Sequence, residues 1–452
     1  MFITLIQPRM KMRPMDTDLK IRMSPSLGLL TVAQSVRKGN DIKILNENIG
    51  DKIDYDNIPD IVGITVTVDT LPRATEIAAE YRRLGVPVVA GGIQITCCPD
   101  FAKPYFDVLS IGYAEKTWPD IVEDLKNGCL KSIYSCTHIS PEEILSPAYD
   151  MLDSRKYLYV NVISTSHGCP FRCSFCYNST PNIRNSFVNR RIEDVVADII
   201  ALKRRHIMFI DDNFIGNPNW TKQFLETIKP MNLKWNAAVS ANVVEIPGML
   251  DLMKESGCKG LFIGLESINE KSIKAAHKGQ NNTARYEYLI SEIHKRGIMV
   301  NASFVFGLDD DDETTFSRTL DWIVKNKIET VTSHILTPYP GTTQYAQMLA
   351  EGRITVTDQQ HYTTSDVVFA PLKMTADQLK QGYLDIYNEI YSFRNIMRRM
   401  PAYQRTGYLF FNFFYRKYGR FTSSLCKVIG FNRIGYFAEK LSFSLWRTRD
   451  FK

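Results

Sequence analysis

Three cysteines stand within SHGCPFRCSFCYNS, at Cys169, Cys173 and Cys176, and no other run of the chain concentrates metal-binding chemistry in this way. Three readings of the trio compete. Free cysteine is a common core residue, but Gly168, Pro170 and Arg172 mark a loop that follows a strand. Zinc wants a fourth ligand, and no paired Cys or His follows at a spacing that would supply one. An iron–sulfur cube takes thiolate ligands, and one loop could hold three irons and leave the fourth open to a small molecule.

The elements around the trio follow a βα rhythm. In residues 1–135 the runs MFITLIQP, DIKILNE, DIVGITVT, VPVVAGG and DVLSIGY read as buried parallel strands. Between them SLGLLTVAQSVRKG and TLPRATEIAAEYRRLG carry helical spacing and end on Gly. The expectation is a doubly wound α/β sheet whose ligand lies at the carboxyl ends of its strands. A polar linker follows over residues 136–158. Residues 159–371 then repeat the rhythm in YVNVIST, HIMFIDDN, LKWNAAVS, GLFIGLES, MVNASFVFGL and TVTSHILTP, about six βα units with polar residues gathered at the strand ends. That pattern predicts a partial (β/α)6 barrel with its chemistry at the strand C-termini. Residues 372–452 read as a helical extension rich in aromatics, with Thr375 as an N-cap.

A length of 452 residues implies two or three domains, and 44% hydrophobic with 23% charged residues is ordinary globular composition. Nine cysteines without a framework spacing suit a reducing, cytoplasmic setting. The opening MFITLIQPRMKMRP puts its apolar run before its basic residues, the reverse of a secretory signal. No stretch reaches the roughly 18–20 apolar residues of a membrane span. The net charge of +6 is concentrated late: from residue 392 onward 13 Lys and Arg stand against two acids, interleaved with aromatics. Such a tail can lie on anionic lipid or cap the barrel; confinement to a tail argues against nucleic acid.

CPFRCSFC matches the Cys-x3-Cys-x-aromatic-Cys signature, and the chain resembles the radical S-adenosylmethionine (SAM) superfamily. FIDDNFIGN, LMKESGCKGLFIGLESIN, FVFGLDDDDETTF and TPYPGTTQYAQMLAEGRI are similar to the subgroup with a cobalamin-binding domain, which includes hopanoid methylases and the anaerobic porphyrin-ring cyclase. The resemblance implies a [4Fe–4S] cluster on Cys169, Cys173 and Cys176 whose open iron chelates SAM. One electron then cleaves SAM to a 5′-deoxyadenosyl radical, while the barrel positions and shields the reaction. It also implies cobalamin on the N-terminal sheet.

For SAM, the resemblance points to Phe175 near the adenine; from their chemistry, Glu266 at a strand end suits the ribose hydroxyls or amino group and Arg190 suits the carboxylate as a bidentate fork. Asp212 and Asn213 in the barrel mouth and Glu313 at a helix start are further candidates. For cobalamin, Thr65, Thr67, Gly91 and Gly92 are the candidate contacts, since glycine lets a bulky ligand approach the backbone. The chain has no Asp-x-His-x-x-Gly motif, and Gln94 stands where the subgroup usually has His.

The expected activity is a cobalamin-dependent radical SAM methyl transfer to an unactivated carbon. An oxidative cyclisation or rearrangement without methyl transfer is the alternative within enzymes. A non-catalytic iron–sulfur or zinc module is the alternative outside them. Expected partners are a small-molecule substrate (a lipid or other apolar polycycle), a flavodoxin or ferredoxin reductant, and a membrane surface for the tail.

Overall fold

The first apolar runs pair edge to edge. In a computed structural model, which describes residues 1–183 and 185–443, Phe2–Gln7 (β1), Asp41–Asn46 (β2), Ile61–Thr65 (β3), Val88–Gly91 (β4), Val108–Gly112 (β5) and Ile133–Cys136 (β6) form one parallel sheet. Its order is β2-β1-β3-β4-β5-β6. Side chains alternate across the strands, so the sheet has two separate cores. Ile6, Val62 and Ile64 pack with Ile77 and Tyr81 on one face; Ile3, Leu5 and Ile61 pack with Trp118 and Ile121 on the other. With both faces covered by helices, a ligand can reach this sheet only at its ends.

The second sheet is parallel and six-stranded as well. Val162–Ile163 (β7), a two-residue antiparallel ribbon of Ser166–His167 (β8) and Val188–Asn189 (β9), His206–Phe209 (β10), Lys234–Val239 (β11), Cys258–Glu266 (β12), Met299–Phe306 (β13) and Thr330–Ile335 (β14) follow in turn. The ribbon stands apart, and the large sheet runs β14-β13-β12-β11-β10-β7, the partial barrel that six βα units predict. Its outward residues, among them Trp235, Ile263 and Val300, pack under the surrounding helices in the largest core of the molecule.

The extension is helical through Phe443, and residues 444–452 of the basic tail lie outside the described residues. It opens on the helix Ala376–Ile390, where Thr375 Oγ1 accepts from the Gln378 amide at 3.2 Å. Arg399, fully buried, donates to the carbonyls of Ile328, Glu329 and Ile390 and so fastens the extension to the barrel floor. The last helix, Phe431–Phe443, lies against the chain just before β7, where a Cβ on Gly435 would meet the Leu158 carbonyl at 2.0 Å. The tail therefore caps the barrel.

Candidate active site between the two sheets

The carboxyl ends of the two sheets face one another across a cavity of 480 Å³. One wall is mostly backbone: Thr65 ends β3, Gly91 ends β4 with Gly92 after it, and Gly112 ends β5. Gly92 has φ +100°, and a Cβ there would lie 2.9 Å from the Val66 nitrogen and oxygen. Only glycine fits this turn, and its bare backbone borders the cavity. The Thr67 hydroxyl donates to Asp69 at 2.8 Å, and the residue does not line the cavity, so the expected cobalamin contact at Thr67 is corrected to a turn-holding role.

The opposite wall is the cysteine loop between β8 and β9. Cys176 N donates to Cys173 O, Ser174 N to Ala276 O, and Gln344 N to Ser174 O, so the loop is pinned to two later βα connections. Side-chain amides reach two sulfurs: Gln280 Nε2 lies 3.4 Å from Cys173 Sγ and Asn178 Nδ2 lies 3.7 Å from Cys176 Sγ. Burial pushes the Cys169 thiol up to about 11 and that of Cys176 up to about 12. Such sulfurs become thiolates at neutral pH only with a cation beside them. Among the described residues no three His, Cys, Asp or Glu side chains converge on a single-ion site. The donor set that fits the loop is three thiols for a multi-iron cluster, with amide donors aimed at the sulfurs.

The loop is stitched to the N-terminal sheet. Tyr113 Oη donates to Ser186 O at 2.6 Å and Asn182 Nδ2 donates to Thr96 O at 2.8 Å. His167 Nε2 lies 3.7 Å from Glu115 Oε1, and both line the cavity. Burial, then the charge of Arg190, pushes His167 down to about 4, and burial raises the Glu115 carboxyl.

Beside the cysteines, β12 ends on a charged pair that the sequence marks only in half. Glu266 has φ +62°, an uncommon conformation for a residue with a side chain. Its Oε1 lies 2.5 Å from Lys278 Nζ. Gly264 makes the room, since a Cβ there would meet Glu266 Oε1 at 2.4 Å. Lys278 Nζ also lies 5.9 Å from the Phe175 ring centroid, which brings Phe175, Glu266 and Lys278 together. Lys278 and Gln280 were not found from the sequence; their one signal is proximity to the GLES strand end.

The remaining candidates separate. Asp212 lines the cavity and accepts from Asn178 Nδ2 at 3.1 Å. Arg190 lines it too, but its guanidinium is committed to Asp198 at 2.8 Å and the Ser164 carbonyl at 3.0 Å, so it braces the wall. Asn213 is buried and accepts from the Ser240 amide at 3.1 Å, a loop buttress instead of a ligand contact. Glu313 precedes the helix Thr314–Lys325 and accepts from Gln378 Nε2 at 2.6 Å; its carboxylate is used in holding the extension and is not at the site. Asp211, next in chain to Asp212, accepts from Thr165 N, Thr165 Oγ1 and Ser166 Oγ and so fixes the strand that leads into the cysteines.

Two stretches of the chain match known protein families. Residues 163–323 match the radical SAM superfamily and residues 23–122 match the B12 binding domain. The chain is 30% identical to a bacteriochlorophyllide d C-12(1)-methyltransferase of Chlorobaculum tepidum, over 92% of this chain and 93% of that protein. It is 28% identical to the C-8(2)-methyltransferase of the same organism, over 85% and 89%. Among solved structures, the radical SAM methyltransferase TsrM from Kitasatospora setae, with cobalamin and a [4Fe–4S] cluster bound, shares the fold with a TM-score of 0.61 at 17% identity. That match covers 77% of this chain and 75% of that one.

Proposed function

The chain belongs to the radical SAM superfamily, in the branch with an N-terminal B12-binding domain, and we propose that it methylates an unactivated carbon of an apolar polycycle. It is a cobalamin-dependent radical SAM methyltransferase; the carbon and the substrate class are the proposal. The observation that carries it is a cavity bordered by Thr65, Gly91 and Gly92 on one side and by Gly168 and Asn178 of the cysteine loop and Asp212 on the other. When bound, the cluster and SAM supply radical chemistry there and cobalamin supplies the methyl group.

In this reading residues 1–135 carry cobalamin, 159–371 carry the cluster and SAM, and the described part of the extension, 372–443, covers the barrel. Cys169, Cys173 and Cys176 hold the cluster as thiolates, with the Gln280 and Asn178 amides donating to sulfur. Glu266 accepts from the SAM amino group or ribose, and Lys278 takes its carboxylate, so the pair exchanges one another for ligand charges on binding. The bare backbone at Gly91 and Gly92 lets cobalamin lie close to the sheet. Asp211 keeps the start of the loop in place. The two relatives are named for methylation of bacteriochlorophyllide d, and a polycycle of that kind is the proposed substrate class.

The partners extend the reading. A one-electron donor of flavodoxin or ferredoxin type reduces the cluster. The extension exposes Phe393, Met397, Tyr418, Phe421 and Val428, the last 85% exposed, with Arg394, Arg398 and Arg420 also in this region. An apolar surface with basic neighbours suits peripheral contact with anionic lipid. Among the described residues no helix is long and apolar enough to cross a membrane.

The test supplies methyl-deuterated methionine to anaerobic cells expressing either this chain or its Cys169→Ala/Cys173→Ala/Cys176→Ala variant, with the expected substrate class added. A labelled methyl in the product of the intact chain alone, with S-adenosylhomocysteine and 5′-deoxyadenosine formed together, is the expected result. A cysteine-dependent product without label, and without S-adenosylhomocysteine, overturns methyl transfer in favour of cyclisation.

A further inference from the structure

A second cavity, of 560 Å³, occupies the lumen of the barrel. Parallel barrels ordinarily fill this space with layers of branched side chains. Here the strands turn Asn236, Ala238, Gly260, Asn301, Thr330 and Thr332 toward it beside Met208, Phe262 and Met299, a mix with too many small members to fill the middle. On β11 and β14 these positions are the partly exposed members of strictly alternating strands, so the hollow is built into the pattern and is not a local packing fault. Its volume lies in the range of pockets that bury an organic ligand.

The extension closes the lumen with aromatic side chains. The segment Phe410–Lys417 is a π-helix, a rare geometry that recurs at functional sites. Its Phe410, Phe411, Phe414 and Tyr415 line the cavity together with Arg416. Arg416 is the exception in this wall. Its guanidinium carbon lies 5.4–5.6 Å from the ring centroids of Tyr391, Phe411 and Tyr415. Its Nη2 makes a long bond, 3.4 Å, to Thr332 Oγ1, the Tyr387 hydroxyl is a second neutral partner, and its Nε is buried without a hydrogen-bond partner. Among the described residues no carboxylate lies within 4.0 Å of it.

The surroundings do not supply the missing charge. Lys20 also lines the lumen, but it shares the single carboxylate of Asp16, at 2.7 Å, with Arg13 at 3.0 Å. Burial, then the charges of Arg13, Lys20 and Arg416, pushes His334 on β14 down to about 3. At another part of the wall, Glu439 is satisfied by His206 Nδ1 and Asn161 Nδ2, each at 2.9 Å. The Nε2 of His206 lies 2.8 Å from Asn236 Nδ2. That polar cluster is closed on itself; the Arg416 end is not.

We propose that the lumen binds an apolar molecule carrying a carboxylate, with its body against the aromatic wall and its carboxylate on the Arg416 guanidinium. A planar fork matches a carboxylate, and a cation already stripped of water gains most from meeting one. Ile210 borders both this cavity and the one between the sheets, so a molecule in the lumen abuts the site of methyl transfer. The inference rests on the methyltransferase reading only in taking that molecule to be the substrate, which would then be an apolar acid.

The test titrates the anaerobically purified full chain, with its cluster, against fluorescent 1-pyrenebutyrate and its uncharged methyl ester. The intact chain is expected to bind the acid at least tenfold more tightly than the ester. R416Q is expected to weaken the acid to the level of the ester, and Ala238→Phe, which fills the lumen, to weaken both at least tenfold. Equal binding of acid and ester by the intact chain overturns the proposal without reference to any variant's folding. So does an Ala238→Phe protein that binds both as before, because the probe is then held elsewhere. Binding needs no SAM: loss of acid preference with an intact methyl label sinks the chamber alone. A missing label with the preference intact sinks the methyl transfer alone.

Discussion

The two sheets have the same strand number and the same parallel sense, yet they offer opposite kinds of surface at their carboxyl ends. The N-terminal sheet meets the cavity largely in backbone, at Gly91, Gly92 and Gly112, with Glu115 as a buried charged group beside them. The barrel ends in side chains: three thiols, Asp211, Asp212, and the Glu266–Lys278 pair. A backbone wall recognises a bulky ligand by shape and is damaged by added volume. A side-chain wall recognises small charged groups and is damaged by lost charge. The same βα architecture thus divides the strand ends between fit on one sheet and electrostatics on the other.

The largest effect belongs to the side-chain wall. Changing any one of Cys169, Cys173 or Cys176 to Ala should reduce labelled product to background and iron content well below about four per chain, read by mass spectrometry and iron assay. Circular dichroism should stay unchanged, because the βα core does not involve these residues. Next, Glu266→Ala leaves Lys278 buried without its partner, and breaking a buried pair costs about 3–5 kcal/mol. Urea unfolding should show that loss, and SAM cleavage should fall with it; an unaltered midpoint would place the pair in solvent and blur the contrast.

Asp211 sharpens the comparison through pH. Burial raises its carboxyl from 3.8 to about 6 despite three hydrogen bonds. The folded state therefore holds a proton that the unfolded chain has released, and stability falls as pH rises from about 4 to about 6, then levels. The whole change is about 3 kcal/mol at roughly 1.4 kcal/mol per unit. Asp211→Asn should flatten that slope in thermal melts between those pH values.

The backbone wall should respond less in stability and more in binding. Gly92→Ala forces a side chain onto φ +100° against the Val66 backbone, a strain of about 1–3 kcal/mol. The cobalamin retained on gel filtration should drop while the iron content stays constant. Loss of both together would mean that the two walls do not act separately.

The sequence made the strands legible by continuous apolar runs for β1 to β5 and by apolar alternation ending in polar residues for the barrel sheet, as in β11 and β14. The edge strand β6, Ile133–Cys136, escaped because half of its four residues are exposed. The cysteines were legible because their spacing has few other uses. Glu313 was misplaced because an acid at a helix start looks the same whether it faces a ligand or, as here, a neighbouring glutamine. Lys278 was hidden for the converse reason: it reaches Glu266 from a loop with no motif of its own. The π-helix is illegible in FFNFFYRK, since apolar spacing does not distinguish it from an ordinary helix.

The closure of the barrel by the last helix also governs how the chain is made. Asn161, just before β7, has its buried side-chain partner in Glu439, 278 residues later. At about 5–20 residues per second the ribosome separates the two by roughly 14–56 s. Through that interval the Asn161 amide can reach the His206 carbonyl, 2.6 Å away in the finished fold, but lacks its charged partner. The seam is sealed only once the helix Phe431–Phe443 has been made, so the barrel is built long before its last buried polar contact can form.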